Sequence, residues 1–180
     1  MDFRPGNFSL CFRKHQVSRL SAILQKRNLY PQRLVAGSSL LIRPFQTEDE
    51  DALVVALWKM LELTVPWNNP HKDIARKLQV QPELFLVGIL DSNLIATVMG
   101  GYDGHRGCVN FLAVHPDFRE NGYGQKIMNS VETEIRKMGC PKINLQIRTG
   151  NDRVASFYQK LGFTNDDVVS MGKRLEADHS

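Results

Sequence analysis

The stretch HPDFRENGYGQKIM, residues His115 to Met128, joins a run typical of a β-strand to a run typical of an α-helix, with Gly122 and Gly124 at the junction. The first turn of a helix presents backbone N–H groups without intrahelical partners, and the helix dipole adds partial positive charge there. Such a helix start can bind phosphate, and Arg119 supplies a cation just before it. The pattern indicates a diphosphate-binding turn. The alternative is a tight turn that needs glycine for its backbone dihedrals alone.

Two other phosphate-binding patterns do not fit this stretch. A Walker loop needs Lys and then Ser or Thr after its last glycine, whereas Gln125 and Lys126 follow Gly124. The dinucleotide fingerprint needs a third glycine and an acidic residue at the end of the next strand, whereas the run KINLQIR ends at Arg148. Neither class of nucleotide site is predicted.

Length and composition favour a single domain. The chain has 180 residues, of which 42% are hydrophobic, enough to fill one core. No apolar run approaches the roughly 20 residues that span a bilayer, so we expect no membrane span and a cytoplasmic location. The cysteines, Cys11, Cys108 and Cys140, show neither metal-binding nor disulfide spacing, and no metal is expected.

Excess basic charge is confined to the N-terminal end of the chain. Residues 1–40 hold seven basic side chains and one acidic one, whereas residues 41–180 hold 16 basic and 18 acidic ones. We therefore expect no nucleic-acid binding by the domain, and we interpret residues 1–39 as a poorly ordered basic extension. The alternatives for this extension are an organellar targeting peptide, an upstream start, or an arm that tethers the domain to nucleic acid or an anionic membrane.

Residues 40–180 are predicted to form one α/β (α+β) domain, in which about four helices flank a mixed, mostly antiparallel twisted sheet of about six or seven strands. Runs rich in Val, Ile, Leu and Phe predict the strands: LLIRPF, LFLVGIL, LIATVMGGY, CVNFLAV, KINLQIR and two closing strands around Phe163 and residues 168–171. Capping, periodicity and breaker residues predict the helices: one through Met60 after a capping box of Thr47 and Glu50, one over about residues 73–80 after breaks at Pro66 and Pro70, one from Tyr123 to a stop at Gly139, and one over residues 152–161.

Two motifs give the chain a resemblance to the GCN5-related N-acetyltransferases (GNAT). LAVHPDFRENGYGQKI resembles that family's acetyl-CoA pyrophosphate loop, Q/R-x-x-G-x-G/A after the fourth strand, and NDRVASFYQKLGF resembles its second signature, N-x-x-A-x-x-(hydrophobic)-Y-x-x-x-G-F. One strand separates the motifs, as the family requires. The resemblance covers about residues 40–175, and VPWNNP, GGYDGHRG and GCPKI make the chain most similar to the bacterial YpeA-type acetyltransferases. It implies a GNAT fold and an N-acetyltransferase (EC 2.3.1.-) that uses acetyl-CoA.

The resemblance also implies a set of coenzyme-binding residues. In the family the fourth strand parts from the fifth near a bulge, which frees backbone groups for the pantetheine arm and the thioester carbonyl. The matching positions are Leu112, Ala113 and Val114 for the strand, Arg119, Glu120, Asn121, Gly122, Tyr123, Gly124 and Gln125 for the loop, and Asn151 for a further contact. Asn151 also suits a helix N-cap, which does not exclude that contact.

Tyr158 matches the family tyrosine that faces the coenzyme sulfur. A phenol with an ordinary pKa near 10 stays protonated at neutral pH, so Tyr158 is the predicted general acid; the alternative is a core aromatic. The general base is open, because several relatives carry Glu in the fifth strand where this chain has Gln146, which cannot accept a proton. The candidates are Glu83, Asp103, His105 and His115, or an ordered water; Asp103 and His105 are also candidate acceptor contacts.

The acceptor amine is predicted to bind near VPWNNP, where Trp67 and Asn68 could shape a pocket; the alternative is a proline-braced loop with a packing tryptophan. The leading function is acetyl-CoA-dependent N-acetylation of a primary amine, on a small molecule, peptide or protein. Direct attack in a ternary complex is expected, since no Cys-His or Ser-His pair is apparent. The alternative function is a catalytically silent sensor that binds acyl-CoA, and a homodimer is left open.

Overall fold

The computed structural model describes residues 39–49, 51–176 and 178. The basic extension, apart from Ser39, lies outside the described residues, as does Glu50 of the predicted capping box. The strands and α-helices follow in the order β1 (Leu41–Pro44), α1 (Asp51–Met60), α2 (Pro70–Gln79), β2 (Phe85–Leu90), β3 (Asn93–Tyr102), β4 (Gly107–Val114), α3 (Tyr123–Lys137), β5 (Ile143–Asn144) and α4 (Asp152–Lys160). Short 3₁₀ turns occupy Thr47–Asp49, Pro82–Leu84 and Pro116–Phe118.

The five described strands form one sheet in the order β1-β2-β3-β4-β5. Neighbours are antiparallel from β1 to β4, whereas β5 runs parallel to β4 and pairs with it only through Gly107–Ile143 and Cys108–Asn144. The predicted mixed α/β fold with four flanking helices is confirmed. Because β4 and β5 part after two residue pairs, the C-terminal half of β4 has no strand partner on that side among the described residues.

Helices cover both faces of the sheet. One core cluster lies on the side of α3 and α4 and includes Val98, Ile127, Ile135 and Tyr158. The second lies on the side of α1 and α2 and includes Val54, Trp58, Ile74, Phe85 and Met99. Since β2 and β3 supply side chains to both clusters, their sequences read as continuous apolar runs rather than alternating ones.

Helix α2 begins at Pro70, before the predicted start near Asp73. The prediction treated Pro70 as a break, but proline is well suited to the first helical position, where its missing N–H would have no intrahelical partner. Asn69 caps the helix, because its Oδ1 accepts hydrogen bonds from the backbone N–H groups of His71 at 3.1 Å and Lys72 at 3.2 Å.

The described residues contain five strands rather than six or seven, because the predicted closing strands around Phe163 and over residues 168–171 do not form. Val169 and Met171 are 88% and 92% exposed. Their apolar character suggested strands, but a strand also needs a neighbouring backbone with which to form its hydrogen-bond ladder.

The predicted strand KINLQIR is likewise reduced to Ile143–Asn144. Leu145 and Ile147 still pack against the core, so the side-chain alternation persists without a ladder. Side chains connect this segment to the chain's C-terminal part. Lys142 Nζ lies 2.7 Å from both carboxylate oxygens of Asp166, and Gln146 Nε2 donates to Ser170 Oγ.

Candidate functional site

Strand β4 contains a bulge at Phe111 and Leu112. Thr97 pairs with Ala113 and Met99 with Asn110, so Phe111 and Leu112 of β4 together lie opposite the single residue Val98 of β3. Phe111 has a φ of 50°, a left-handed conformation that costs a non-glycine residue about 1–3 kcal/mol. The bulge implied by the resemblance is therefore present, and it lies beyond the point at which β5 leaves β4.

Two buried side chains hold the bulge from the side of β3 and α1. Thr97 Oγ1 donates a hydrogen bond of 3.0 Å to the backbone oxygen of Phe111, and Trp58 Nε1 donates one of 2.9 Å to Thr97 Oγ1. The Trp58 ring also stacks on the Phe111 ring, with 4.0 Å between their centroids. Both Trp58 and Thr97 are fully buried. Sequence reasoning missed this arrangement, because no local motif joins residues 39 positions apart.

A cleft of about 1560 Å³ opens where β4 and β5 part. Its walls include residues 109–112 of β4, the segment from Lys142 to Thr149 that contains β5, one side of α4, and the loop after α1. The C-terminal part of α3 and the segment 161–170 also contribute side chains. The cleft brings together four of the predicted site residues: Asn68, Leu112, Asn151 and Tyr158. They come from three separate parts of the chain, the loop after α1, β4 and α4 with its N-cap, so only the fold makes them neighbours.

The turn from β4 to α3 presents unpartnered backbone donors. Gly122 precedes the helix with a φ of 76°, a conformation that favours glycine. The N–H groups of Tyr123, Gly124 and Gln125 donate no hydrogen bond within the part of the chain that the structure describes, and the first helical bond runs from Lys126 N to Gly122 O at 3.0 Å. Free donors at a helix start are the arrangement that binds phosphate.

The two glycines of this turn have different structural roles. A Cβ at Gly122 would meet no described atom within 4 Å, so this residue supplies a backbone conformation. A Cβ at Gly124 would lie 3.3 Å from Cε2 of Phe157 and 3.6 Å from Cγ2 of Val114. Gly124 thus allows α3 to approach α4 and β4 closely. The conformational alternative holds for Gly122, and it is compatible with a phosphate at the same helix start.

Polar side chains brace the loop before this turn. Arg119 Nε donates to the backbone oxygen of Val114 at 3.2 Å, and Asn121 Nδ2 donates to the backbone oxygen of Arg119 at 2.8 Å. Burial, with Arg153 nearby, lowers the pKa of the Arg119 guanidinium from its ordinary value. Glu120 has a φ of 64°. The predicted loop residues therefore form one structured unit attached to the end of β4.

Tyr158 lies at the wall of the cleft with 7% of its surface exposed. Its ring makes edge contacts with the rings of Phe157 and Phe163, at centroid distances of 5.1 and 5.4 Å. Burial raises the pKa of its hydroxyl to about 12. The hydroxyl makes no hydrogen bond to any described residue. Tyr158 is at once a core aromatic and a cleft residue.

Asn151 occupies the N-cap of α4, as its position in the sequence suggested. Its Oδ1 accepts a hydrogen bond of 3.3 Å from the N–H of Val154. The residue is exposed and lines the cleft, so its amide nitrogen remains available to a ligand.

The structure does not bring the candidate bases Asp103 and His105 to the cleft. Both are exposed in the turn between β3 and β4, at the opposite end of β4 from the bulge. The Asp103 carboxylate accepts 2.7 Å hydrogen bonds from the N–H groups of Arg106 and His105, which lower its pKa. These bonds give Asp103 the role of a turn residue.

The other two candidate bases also have structural surroundings. His115 is buried beside Phe118, its Nδ1 accepts from Asp117 N at 3.3 Å, and burial lowers its pKa. Glu83 lies in a separate depression beside β1 and α3. Neither lines the cleft.

The loop after α1 supplies one wall of the cleft, residues 61–63 together with Asn68, which we name the acceptor wall because the acceptor was predicted to bind near this loop. Trp67 is 51% exposed and does not line the cleft, and its backbone oxygen accepts a 2.8 Å hydrogen bond from Arg174. Glu62 belongs to the wall, and sequence reasoning missed it. The available signal was a carboxylate shortly before VPWNNP. The orientation of that carboxylate depends on the φ of 55° at Glu62, which no sequence motif predicts.

No group of three or more His, Cys, Asp or Glu side chains among the described residues is arranged to hold a metal ion. In the same part of the chain, no helix is both long and apolar enough to cross a membrane.

Comparison with known sequences identifies one family. The model of the acetyltransferase (GNAT) family matches residues 52–163. Curated relatives include a protein named acetyltransferase from Yersinia pestis (strain Pestoides F), which is 44% identical over 137 residues, or 76% of this chain and 96% of the relative.

Solved structures with the same fold include two that contain coenzyme A or an analogue. The NatC complex bound to Gag peptide and CoA aligns with a TM-score of 0.63 at 20% identity, over 72% of this chain and 87% of the other. The aminoglycoside N-acetyltransferase AAC(6')-Iy, bound to the bisubstrate analogue CoA-S-monomethyl-acetylneamine, aligns with a TM-score of 0.62 at 21% identity, over 76% of this chain and 99% of the other. At these identities the likeness shows the fold.

Proposed function

We propose that this chain, which belongs to the acetyltransferase (GNAT) family and is an acyltransferase, acetylates a primary amine. In this proposal the amine attacks acetyl-CoA directly in a ternary complex. The observation that carries the proposal is the cleft between β4 and β5. One side of the cleft is the bulged part of β4, which pairs with β3 but has no described strand partner on the β5 side, and the other side includes Tyr158. Beyond the bulge, β4 continues through the 3₁₀ turn Pro116–Phe118 to the start of α3.

The described residues fit a coenzyme with a diphosphate and an amide-containing arm. The free N–H groups of Tyr123, Gly124 and Gln125 would hold the diphosphate, with Arg119 close to the same point. Backbone groups of residues 112–114, which no described strand pairs on the β5 side, would bind the amides of the pantetheine arm, although the Val114 oxygen already accepts from Arg119. Asn151 would add a side-chain contact from α4. When bound, acetyl-CoA supplies an activated thioester carbonyl.

Tyr158 is assigned the role of general acid. The departing thiolate needs a proton, and the Tyr158 hydroxyl is a protonated donor at the cleft wall because burial raises its pKa to about 12. The backbone N–H of Leu112, at the bulge, is assigned to the oxyanion that develops on the carbonyl.

Glu62 is assigned the role of binding the acceptor amine and accepting its proton. The acceptor arrives as an ammonium ion and must lose a proton before it can attack, so a carboxylate on the acceptor wall would attract the cation and accept that proton directly or through water. Asp103 and His105 have no part in this scheme, because they lie outside the cleft. Glu62 is exposed and the rest of the acceptor wall is partly exposed, which suits either a small amine or a peptide terminus.

Release of free thiol from acetyl-CoA tests the function. Purified protein is supplied with polyamines, amino acids, aminoglycosides and N-terminal peptides in turn, and acetyl-CoA binding is measured by calorimetry alongside. Turnover with one amine class would support the proposal and identify the acceptor. Binding without turnover by any amine would favour an acyl-CoA sensor, and absence of binding would overturn the coenzyme assignment.

A further inference from the structure

We propose that Thr97 and Trp58 are positioning residues that aim the backbone N–H of Leu112 into the cleft. The inference rests on the proposed function, because that N–H is the assigned oxyanion donor. Neither side chain lines the cleft, so both act through the peptide between Phe111 and Leu112.

The hydrogen bonds fix the direction of the chain Trp58–Thr97–Phe111. The indole Nε1–H can only donate, so the Thr97 hydroxyl accepts from it at 2.9 Å. The hydroxyl proton is then free for the backbone oxygen of Phe111, 3.0 Å away. Because Trp58 and Thr97 have no exposed surface, the bond between them is fully buried, and the bond from Thr97 to Phe111 is partly buried.

The orientation of one carbonyl determines the orientation of the next N–H. The described chain contains no cis peptide bond, so the oxygen of Phe111 and the N–H of Leu112 point in opposite directions. The oxygen points towards Thr97 in β3. The N–H of Leu112 therefore points away from β3, towards the gap that β5 leaves open.

The aromatic stack stabilises the same peptide from a second side. Trp58 and Phe111 rings lie 4.0 Å apart at an interplanar angle of 18°. A bulky residue rarely adopts a φ of 50° without support, and here the stack and the hydrogen bond both hold Phe111 in that conformation. Losing either should let the bulge relax towards a regular strand and turn the Leu112 N–H out of line.

Three variants test the proposal. Thr97→Val removes the hydroxyl, Thr97→Ser keeps it, and Trp58→Phe removes the indole donor while retaining an aromatic ring. Thr133→Val is the matched control, because the Thr133 hydroxyl, on the exposed side of α3, donates to the backbone oxygen of Asn129 and to no other described residue. For each variant we would measure kcat and KM, affinity for CoA, which lacks the acetyl carbonyl, and thermal unfolding.

We expect Thr97→Val to lower kcat roughly ten- to hundredfold. Complete removal of an oxyanion donor lowers kcat by a factor of about 10²–10³, and this substitution only misaligns the donor. Affinity for CoA should stay within about twofold, since CoA lacks the acetyl carbonyl to which that donor is assigned. Thr97→Ser should retain most of the activity. If Thr97→Val does not fold, Trp58→Phe should show a smaller loss of kcat with the same unchanged CoA affinity.

A resonance readout separates positioning from general destabilisation. In ¹⁵N-labelled protein, the Leu112 amide proton should shift downfield with acetyl-CoA relative to CoA in the wild type and in Thr97→Ser, but not in Thr97→Val. Normal turnover by Thr97→Val, or equal losses in the Val and Ser variants, would overturn the positioning role while leaving the proposed function intact. A wild-type protein that does not bind acetyl-CoA would overturn both.

Discussion

Replacing Tyr158 by Phe should remove the proton donor and leave the core almost unchanged. The ring contacts with Phe157 and Phe163 survive the substitution, and the hydroxyl makes no hydrogen bond among the described residues. The free energy of unfolding should therefore change by less than about 1 kcal/mol. A general acid contributes about 10²–10⁴ in rate, so we expect kcat to fall roughly a hundredfold while acetyl-CoA affinity is retained.

The raised pKa of Tyr158 determines the sign of its pH dependence. The hydroxyl acts as an acid only when protonated, so its contribution is complete below its pKa and is lost only as the pH rises through about 12. Between about pH 7 and 10, the ordinary value for a phenol, Tyr158 should cause no loss of wild-type kcat.

Thiol release at saturating amine measures kcat for wild type and Tyr158→Phe, and calorimetry and thermal unfolding serve as controls. Two results would refute the reasoning. One is a kcat within twofold of wild type in a folded variant. The other is an alkaline loss of wild-type activity near pH 10 that the substitution abolishes, because it would show that the phenol is not shielded by burial.

Three further predictions follow from other parts of the fold. Gly122→Ala should lower the free energy of unfolding by about 1 kcal/mol, because a residue with a Cβ is strained at the Gly122 φ of 76°, and Gly122→Asn should lower it less. Equal stability of the wild type and both variants in denaturant titration would contradict this. Glu62→Gln should raise KM for the amine roughly tenfold and leave KM for acetyl-CoA unchanged; a change confined to acetyl-CoA would remove Glu62 from the acceptor wall's function. The Asp178 carboxylate lies 2.6 Å from Arg76, and this hydrogen bond lowers its pKa from 3.8 to about 2. Its stabilising effect is therefore present above pH 3.8 and lost as the pH falls towards 2, and Asp178→Asn should show a smaller loss of stability over that interval in acid titrations.

The sequence predicted most of the architecture because its signals are local. Continuous apolar runs marked β2, β3 and β4, and glycine, arginine and asparagine at fixed offsets marked the turn before α3 and the cap of α4. Errors arose where one residue type serves two purposes. Pro70 read as a break but begins a helix, and residues 168–171 read as a strand but have no partner among the described residues.

The site was predictable only in part, since it depends on contacts between distant segments. Tyr158 and Asn151 follow from a motif, and the structure places both at the cleft. The buried support of the bulge by Thr97 has no sequence signature, because it requires the register of β3 against β4 and the crossing of α1. Similarly, the hairpin residue Asp103 was a chemically reasonable base whose distance from the cleft only the fold reveals.

The most direct test of the account follows the acetyl group itself. The protein is incubated with acetyl-CoA labelled on the acetyl carbons and the amine that supports thiol release, and the products and the intact protein are examined by mass spectrometry. Direct transfer in a ternary complex predicts the label on the amine nitrogen and none on the protein at any time. Label released as free acetate, or carried by the protein before it reaches the amine, would contradict the account.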